Sequence, residues 1–252
     1  MITTVSATRY VTPLREGGSL PAIVEADDKR LYVMKFRGAG QGVKALIAEL
    51  IGGELARHLG FNVPGIVFAE LDESFGRMEG DEEIQDLLKA STGLNLAVTY
   101  LQEAITFDPI INKVDPMLAS KIVWLDSFLL NVDRTSRNTN MLMWKGDLWL
   151  IDHGASLIFH HNWENGWSGS RPFPMIKKHV LIHQASKLQE ANDLLKSLLS
   201  RKLFDDIVAL IPDKWLNLDK AFASADDNRK AYAEYLASRL DYSDNFIKEA
   251  AV

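Results

Sequence analysis

The chain has 252 residues, 47% of them apolar and 25% charged, a balance typical of a globular protein with enough apolar mass for a substantial core. It contains no cysteine, which removes disulfide frameworks, thiolate metal sites, Fe–S clusters and any cysteine nucleophile. With 28 Lys and Arg against 34 Asp and Glu, the net charge is −6 and no basic block occurs, so no direct nucleic-acid or anionic-membrane binding is expected.

Met1 to Tyr10 lacks the charged-then-apolar layout of a signal peptide. No apolar run approaches the roughly 20 residues that span a bilayer. The expectation is a cytoplasmic protein. The first hundred residues read as strands. Ala7–Leu14 and Ala22–Ala26 flank the turn-rich stretch Arg15-Glu16-Gly17-Gly18-Ser19, and Leu31–Phe36 follows the polar turn Asp27-Asp28-Lys29. A helix is predicted over about Val43–Leu59, opened by Gly40-Gln41-Gly42 and stopped by Gly60. Val43, Leu46, Ile47, Leu50 and Ile51 share one arc of its wheel. Ile66–Leu71 and Leu94–Tyr100 complete five strands around one helix, a small α+β unit.

Beyond Leu101 the pattern turns mostly helical, over Pro116–Leu130, 187–210 and 227–248. The exception is a hairpin signal, Met141–Trp144 and Leu148–Ile151 joined by Lys145-Gly146-Asp147. His160 to His179, rich in Trp, Gly, Ser, Arg and Pro, reads as a long loop and a candidate lid or substrate segment. The change of character divides the chain into residues 1–101 and 102–252.

The richest stretch for chemistry is Asn131-Val132-Asp133-Arg134-Thr135-Ser136-Arg137-Asn138, then the hairpin, then Asp152-His153-Gly154. A helix, a polar loop, a buried hairpin and an acid at its end bring Asp133, Asn138 and Asp152 to one edge. One carboxylate is then free to orient a hydroxyl, while the amide oxygen and second carboxylate are hard donors suited to Mg²⁺. That division of labour is the phosphoryl-transfer template. Taken alone, Asp and Asn five residues apart are common turn and capping residues. Lys35, within Tyr-Val-Met-Lys-Phe, reads either as the solvent-facing member of an alternating strand or as a phosphate-reaching lysine paired with a glutamate on the next helix. Glu54 lies inside the apolar arc, and Glu49 lies on the side of Gly52, Gly53 and Ala56; the residues themselves leave the choice open.

Gly17, Gly18 and Ser19 are placed to cover phosphates with backbone N–H groups, although glycine is also the default turn residue. Gly38-Ala39-Gly40-Gln41-Gly42 reads equally as an anion site or a simple loop leading into the helix. A zinc site built on Asp152, His153, His160 and His161 is set aside, because the spacing matches no zincin pattern. No nucleophile elbow, P-loop or dinucleotide fingerprint occurs.

The chain resembles the HipA-like kinases. The resemblance rests on Tyr32-Val33-Met34-Lys35, on Ala48-Glu49-Leu50 leading to Leu55-Ala56-Arg57-His58-Leu59-Gly60-Phe61-Asn62-Val63-Pro64, and on Asp133-x4-Asn138 with Asp152. It covers about Leu14 to Trp163, and the catalytic loop is also similar to that of phosphatidylinositol kinases. It implies a bilobal protein-kinase-like α+β fold: an N-lobe antiparallel sheet with one helix, and a mainly helical C-lobe. It further implies ATP and Mg²⁺, with Lys35 on the phosphates, Glu49 orienting it, Asp133 as base, Asn138 and Asp152 on the metal, and backbone groups of Tyr100, Leu101 and Gln102 at the adenine. Thr135 stands where the family usually has His, His153 replaces the Phe of Asp-Phe-Gly, and no room is expected for the family's extra N-terminal subdomain. The implied activity is Ser/Thr protein phosphorylation, with a protein substrate or partner. The competing readings are a lipid or small-molecule kinase, or a nucleotide-binding pseudokinase.

Overall fold

The computed structural model describes residues 2–14, 20–76 and 80–251. Five strands, β1 (Thr4–Pro13), β2 (Ala22–Ala26), β3 (Leu31–Lys35), β4 (Ile66–Leu71) and β5 (Gly93–Thr99), close into a barrel in the order β1-β2-β3-β5-β4. Neighbours are antiparallel except β1 and β4, which run parallel. A five-stranded lumen is narrow, and it is filled largely by alanines (Ala7, Ala22, Ala26, Ala69, Ala97) with Val24, Tyr32 and Met34. Alternation along β3 puts Tyr32 and Met34 inside and leaves Val33 and Lys35 on the outer face. Val33 there joins a second, larger core with Leu94, Leu96 and Val98 of β5. Lys35 therefore leaves the barrel on the side covered by the next helix.

That helix, α1 (Val43–His58), is buried on nearly every side, as expected of a helix sandwiched between a sheet and other helices. The apolar arc faces one layer, and small residues allow close contact on the other. A Cβ on Gly53 would lie 2.6 Å from Ile66 Cδ1 of β4, and a Cβ on Gly52 would lie 2.6 Å from His153 Cβ. A second helix, α2 (Glu82–Ala90), absent from the sequence reading, is capped by Asp81 and buries only Ile84 and Leu88. The N-terminal sheet thus carries two helices, and one of its strand pairs is parallel.

Beyond β5 a short strand, β6 (Ile105–Thr106), adds to the hairpin of β7 (Met141–Trp144) and β8 (Asp147–Leu150). The hairpin turns on Lys145 and Gly146, both at positive φ. Helix α3 (Pro116–Leu129), started by the Asp115 cap and Pro116, is buried from Ala119 to Leu129 apart from Lys121. The rest is α4 (Leu188–Leu198), α5 (Arg201–Val208), α6 (Asp213–Leu216), α7 (Ala225–Asp241) and α8 (Ser243–Ala250). The expected helix over 187–210 is divided where Ser200 caps α5, and that over 227–248 is divided at Tyr242.

The 160–179 stretch is packed rather than extended into solvent. It folds into 3-10 turns within Ile158–Asn165 and Pro174–Lys178, with Phe159, His160, Trp163, Phe173 and Ile176 buried. Its aromatic side chains account for this: Trp163 meets Phe159, Phe222 and Tyr232 edge-on, at centroid distances of 5.1 Å.

The Gly52 contact yields a stability prediction. Gly52→Ala gains about 1 kcal/mol of helix propensity, but overpacking against His153 costs about 1–3 kcal/mol. A net loss of about 1 kcal/mol is expected in urea unfolding; a midpoint at or above the parent's would show that the close approach is not tight.

Candidate active site

The Lys35 side chain, 14% exposed, sits between two carboxylates, with Nζ 2.6 Å from Glu49 Oε2 and 2.6 Å from Asp152 Oδ1. Burial works against the ammonium, but the charges of Asp152 and Glu49 outweigh it and hold Lys35 protonated, with its pKa raised. The Lys35 charge in turn holds the Asp152 carboxyl below its usual range against burial, whereas burial pushes Glu49 up against the pull of Lys35. Glu49 Oε2 also accepts the His153 N–H at 2.7 Å. The other candidate, Glu54, pairs instead with Arg57.

Helix α1 lies along the Asp152-His153-Gly154 segment through one face. Glu49 meets the His153 N–H, Gly52 meets the His153 ring, and a Cβ on Gly154 would lie 3.6 Å from the Ala45 carbonyl oxygen. Positions 45, 49 and 52 follow the i, i+4, i+7 spacing of a single helix stripe. Asp152 itself has φ of 55°, a left-handed conformation that aims its side chain back toward Lys35.

The Asp133 loop follows α3. Leu130, also left-handed at φ 55°, turns the chain out of the helix. Asp133 Oδ2 accepts from Asn138 Nδ2 at 2.8 Å and from Asn140 Nδ2 at 3.2 Å. Its other oxygen makes no hydrogen bond within the described residues. Burial raises the Asp133 pKa, with the Asp152 charge adding to it and the bonds from Asn140 and Asn138 opposing it, so the two carboxylates sense one another across the site. Asn138 spends its amide nitrogen on Asp133, which leaves its amide oxygen as a hard donor.

The Asn138 amide oxygen and the Asp152 carboxylate are hard oxygen donors of the kind that could hold a divalent cation. Among the described residues, no group of three or more His, Cys, Asp or Glu side chains is gathered for a metal ion. Tyr100, Leu101 and Gln102 lie between β5 and β6, with the Tyr100 N–H bonded to Leu31 O and the Gln102 C=O taken by Trp144 Nε1. Gly17, Gly18 and Ser19 lie outside the described residues. The second glycine cluster packs on the end of α2, where the Gly38 N–H meets Ser91 Oγ at 3.1 Å.

The family model for the HipA-like kinases matches residues 8–249. The chain belongs to the HipA-like kinase family. It is a kinase, with the bilobal α+β fold of that group. Among solved structures it is similar to the Helicobacter pylori proinflammatory kinase CtkA, with a TM-score of 0.59 at 10% identity, covering 96% of this chain and 96% of that one. At this identity the likeness speaks to fold alone. Golgi casein kinase structures match at TM-scores of 0.48 and 0.47 with 12% and 13% identity; they cover 97% and 96% of this chain and 73% and 71% of theirs, and one is described with Mn/ADP bound. No curated protein matches in sequence.

In this HipA-like kinase the Asp133 loop hangs on a buried polar hub that the sequence reading missed. Asp126, fully buried in α3, accepts from Arg134 Nε at 2.6 Å, Asn131 Nδ2 at 2.9 Å and His179 Nε2 at 2.8 Å. Arg134 also donates to the Asn140 carbonyl. Burial opposes the Asp126 charge, but Arg134 and His179 prevail and its pKa falls. His179 forms an isolated antiparallel bridge with Thr135. The available signal was a lone carboxylate within the apolar run Ile122–Leu130.

His153 gives a pH prediction. Burial, aided by the Arg134 charge, holds it down to about 3, against about 6.5 when unfolded. Below pH 6.5 the unfolded chain binds a proton that the folded chain refuses until about pH 3, so this residue destabilises the fold increasingly on acidification. His153→Phe removes that proton. Between pH 6 and 4, its stability should fall less steeply than the parent's, by up to about 1.4 kcal/mol per pH unit; parallel slopes in urea titrations would contradict the assignment.

Proposed function

We propose that this HipA-like kinase transfers the γ-phosphate of ATP, with Mg²⁺, to a Ser or Thr hydroxyl of a protein. The observation that carries the reading is the Lys35 ammonium held between Glu49 and Asp152, together with the Asp133–Asn138 hydrogen bond in the loop after α3. In this reading residues 1–101 and 102–252 are the two lobes, and the nucleotide enters between them. In it, backbone groups at Tyr100, Leu101 and Gln102 meet the adenine. Lys35 binds phosphate oxygens, and Glu49 fixes the direction of its stem. The free Asp133 oxygen accepts the acceptor's hydroxyl proton, while Asn138 and Asn140 keep the carboxylate from rotating. Asn138 and Asp152 would hold the metal, which when bound would supply positive charge to offset that of the phosphates. Among the described residues no helix is long and apolar enough to cross a membrane. That fact and the lack of cysteine fit a cytoplasmic setting.

Lys35→Met keeps the stem's volume but leaves Glu49 without its partner, so it should fold with reduced stability. It should weaken nucleotide binding modestly and cut transfer by a factor on the order of 10² or more. Transfer at the parental rate, measured with labelled ATP, would remove Lys35 from the mechanism.

The two aspartates should fail differently. Asp152→Asn should weaken Mg-dependent nucleotide binding and transfer together. Asp133→Asn should leave Mg·ATP affinity within about threefold while transfer drops on the order of 10² or more. If both are only turn or capping residues, each loses about 1 kcal/mol of stability and binding is untouched. Calorimetric titration beside melting curves separates the cases, and phosphoamino-acid analysis of the labelled product checks the Ser/Thr assignment.

A further inference from the structure

Glu49 can meet Lys35 only if α1 is correctly seated, and although Leu46, Ile47 and Ala48 are buried, the start of the helix has no side-chain cap to fix it. Its N-cap is Gly42 at φ 64°, with no side-chain cap and no acidic residue in the first turn. A cavity of about 280 Å³, lined by Gly42, Val43 and Ile47 on one side and Trp215, Leu218 and Asn228 on the other, leaves the apolar packing there incomplete. Lys44 is the only charged residue between positions 43 and 48, and it bridges this gap. Its Nζ donates to the His160 carbonyl at 2.5 Å and lies 2.9 Å from Asp219 Oδ2.

Both partners belong to the helical half of the molecule. His160 lies on the chain that continues from Asp152, and Asp219 lies between α6 and α7. The other Asp219 oxygen accepts the Ala221 N–H at 3.1 Å, which fixes the carboxylate before Lys44 meets it. The Lys44 and Asp219 side chains are 25% and 13% exposed, so the pair is partly desolvated and stronger than an exposed one. It sits five residues before Glu49, little more than one helical turn.

We propose that Lys44 is a positioning residue for phosphoryl transfer: through Asp219 and the His160 carbonyl, it latches the first turn of α1 so that Glu49 holds Lys35. It touches no substrate. The inference rests on the roles proposed above for Lys35 and Glu49.

The test uses the full chain and follows ADP release at saturating Mg·ATP, together with amide exchange. Lys44→Met should lower kcat about tenfold, and Lys44→Arg, which keeps the charge and reach, should recover to within about threefold of the parent. In the Glu49→Gln background, Lys44→Met should cost no further turnover, whereas a merely structural role would make the two losses multiply. Exchange should rise over residues 43–48 and stay unchanged in α3.

Should Lys44→Met fold poorly, Asp219→Asn puts the same question with the shape of the site preserved, and the same non-additivity with Glu49→Gln is expected. Parental kcat in Lys44→Met or Asp219→Asn, with Glu49→Gln impaired, overturns the latch alone. Parental kcat in Glu49→Gln and Lys35→Met as well overturns the proposed site, and the latch with it. Increased exchange over 43–48 with multiplying losses assigns Lys44 to stability and also overturns the proposal.

Discussion

A lysine ammonium cannot remain charged under a helix unless opposite charge is brought to it, and the arrangement of this protein follows from that need. Lys35 is aimed outward by strand alternation; Glu49 reaches it from α1 and Asp152 from beyond the β7–β8 hairpin, both at 2.6 Å. Three elements far apart in sequence must be correctly placed for one cation to be satisfied. Losing one partner of such a buried pair typically costs about 3–5 kcal/mol. The same triad links the two halves of the molecule, since Glu49 also holds the His153 backbone. In the proposed mechanism stability and chemistry share one set of atoms: Lys35 and Asp152 neutralise each other in the structure, and the proposal gives them new partners in phosphate and metal.

Asp126 does for the Asp133 loop what the two carboxylates do for Lys35. Its two oxygens organise Asn131, Arg134 and His179, and Arg134 extends the network to the Asn140 backbone. Asn140 then returns to Asp133. Around this polar core the chain tolerates left-handed backbone at Leu130, Asn140, Asp152 and Leu157, none of them glycine. Each costs of order 1–3 kcal/mol and persists only where its surroundings over-determine it. The buried bonds of Asp126 and the packing of α3 provide that constraint.

Much of this was legible in the sequence where the signal is local. Strand alternation placed Lys35, glycines bracketed α1, and the Lys145-Gly146 turn marked the hairpin that delivers Asp152. The helix wheel left Glu49 and Glu54 both open, and the choice of Glu49 came from the resemblance; the structure pairs Glu49 with Lys35 and Glu54 with Arg57. The small residues Gly52 and Gly53 marked the second face of the helix as one of close approach, and there the chain meets His153 and Ile66. Pairings distant in sequence stayed hidden. The parallel contact of β1 with β4, the reach of His179 to Asp126 and the bridge from Lys44 to Asp219 leave no periodic trace. Helix α2 was passed over because nine residues with two buried side chains barely register against the surrounding turns. The 160–179 segment reads as a loop from its glycines and prolines, and 166–173 does lack regular structure; its aromatics decide that the stretch packs.

The most direct test of this account is a crystal structure with a non-hydrolysable ATP analogue and Mg²⁺. The account predicts phosphate oxygens within hydrogen-bond distance of Lys35 Nζ, a metal ligated by Asn138 and Asp152, the Lys35–Glu49 pair intact and the Lys35–Asp152 contact opened. A nucleotide bound elsewhere, or one in the cleft with the metal away from Asn138 and Asp152, would contradict it.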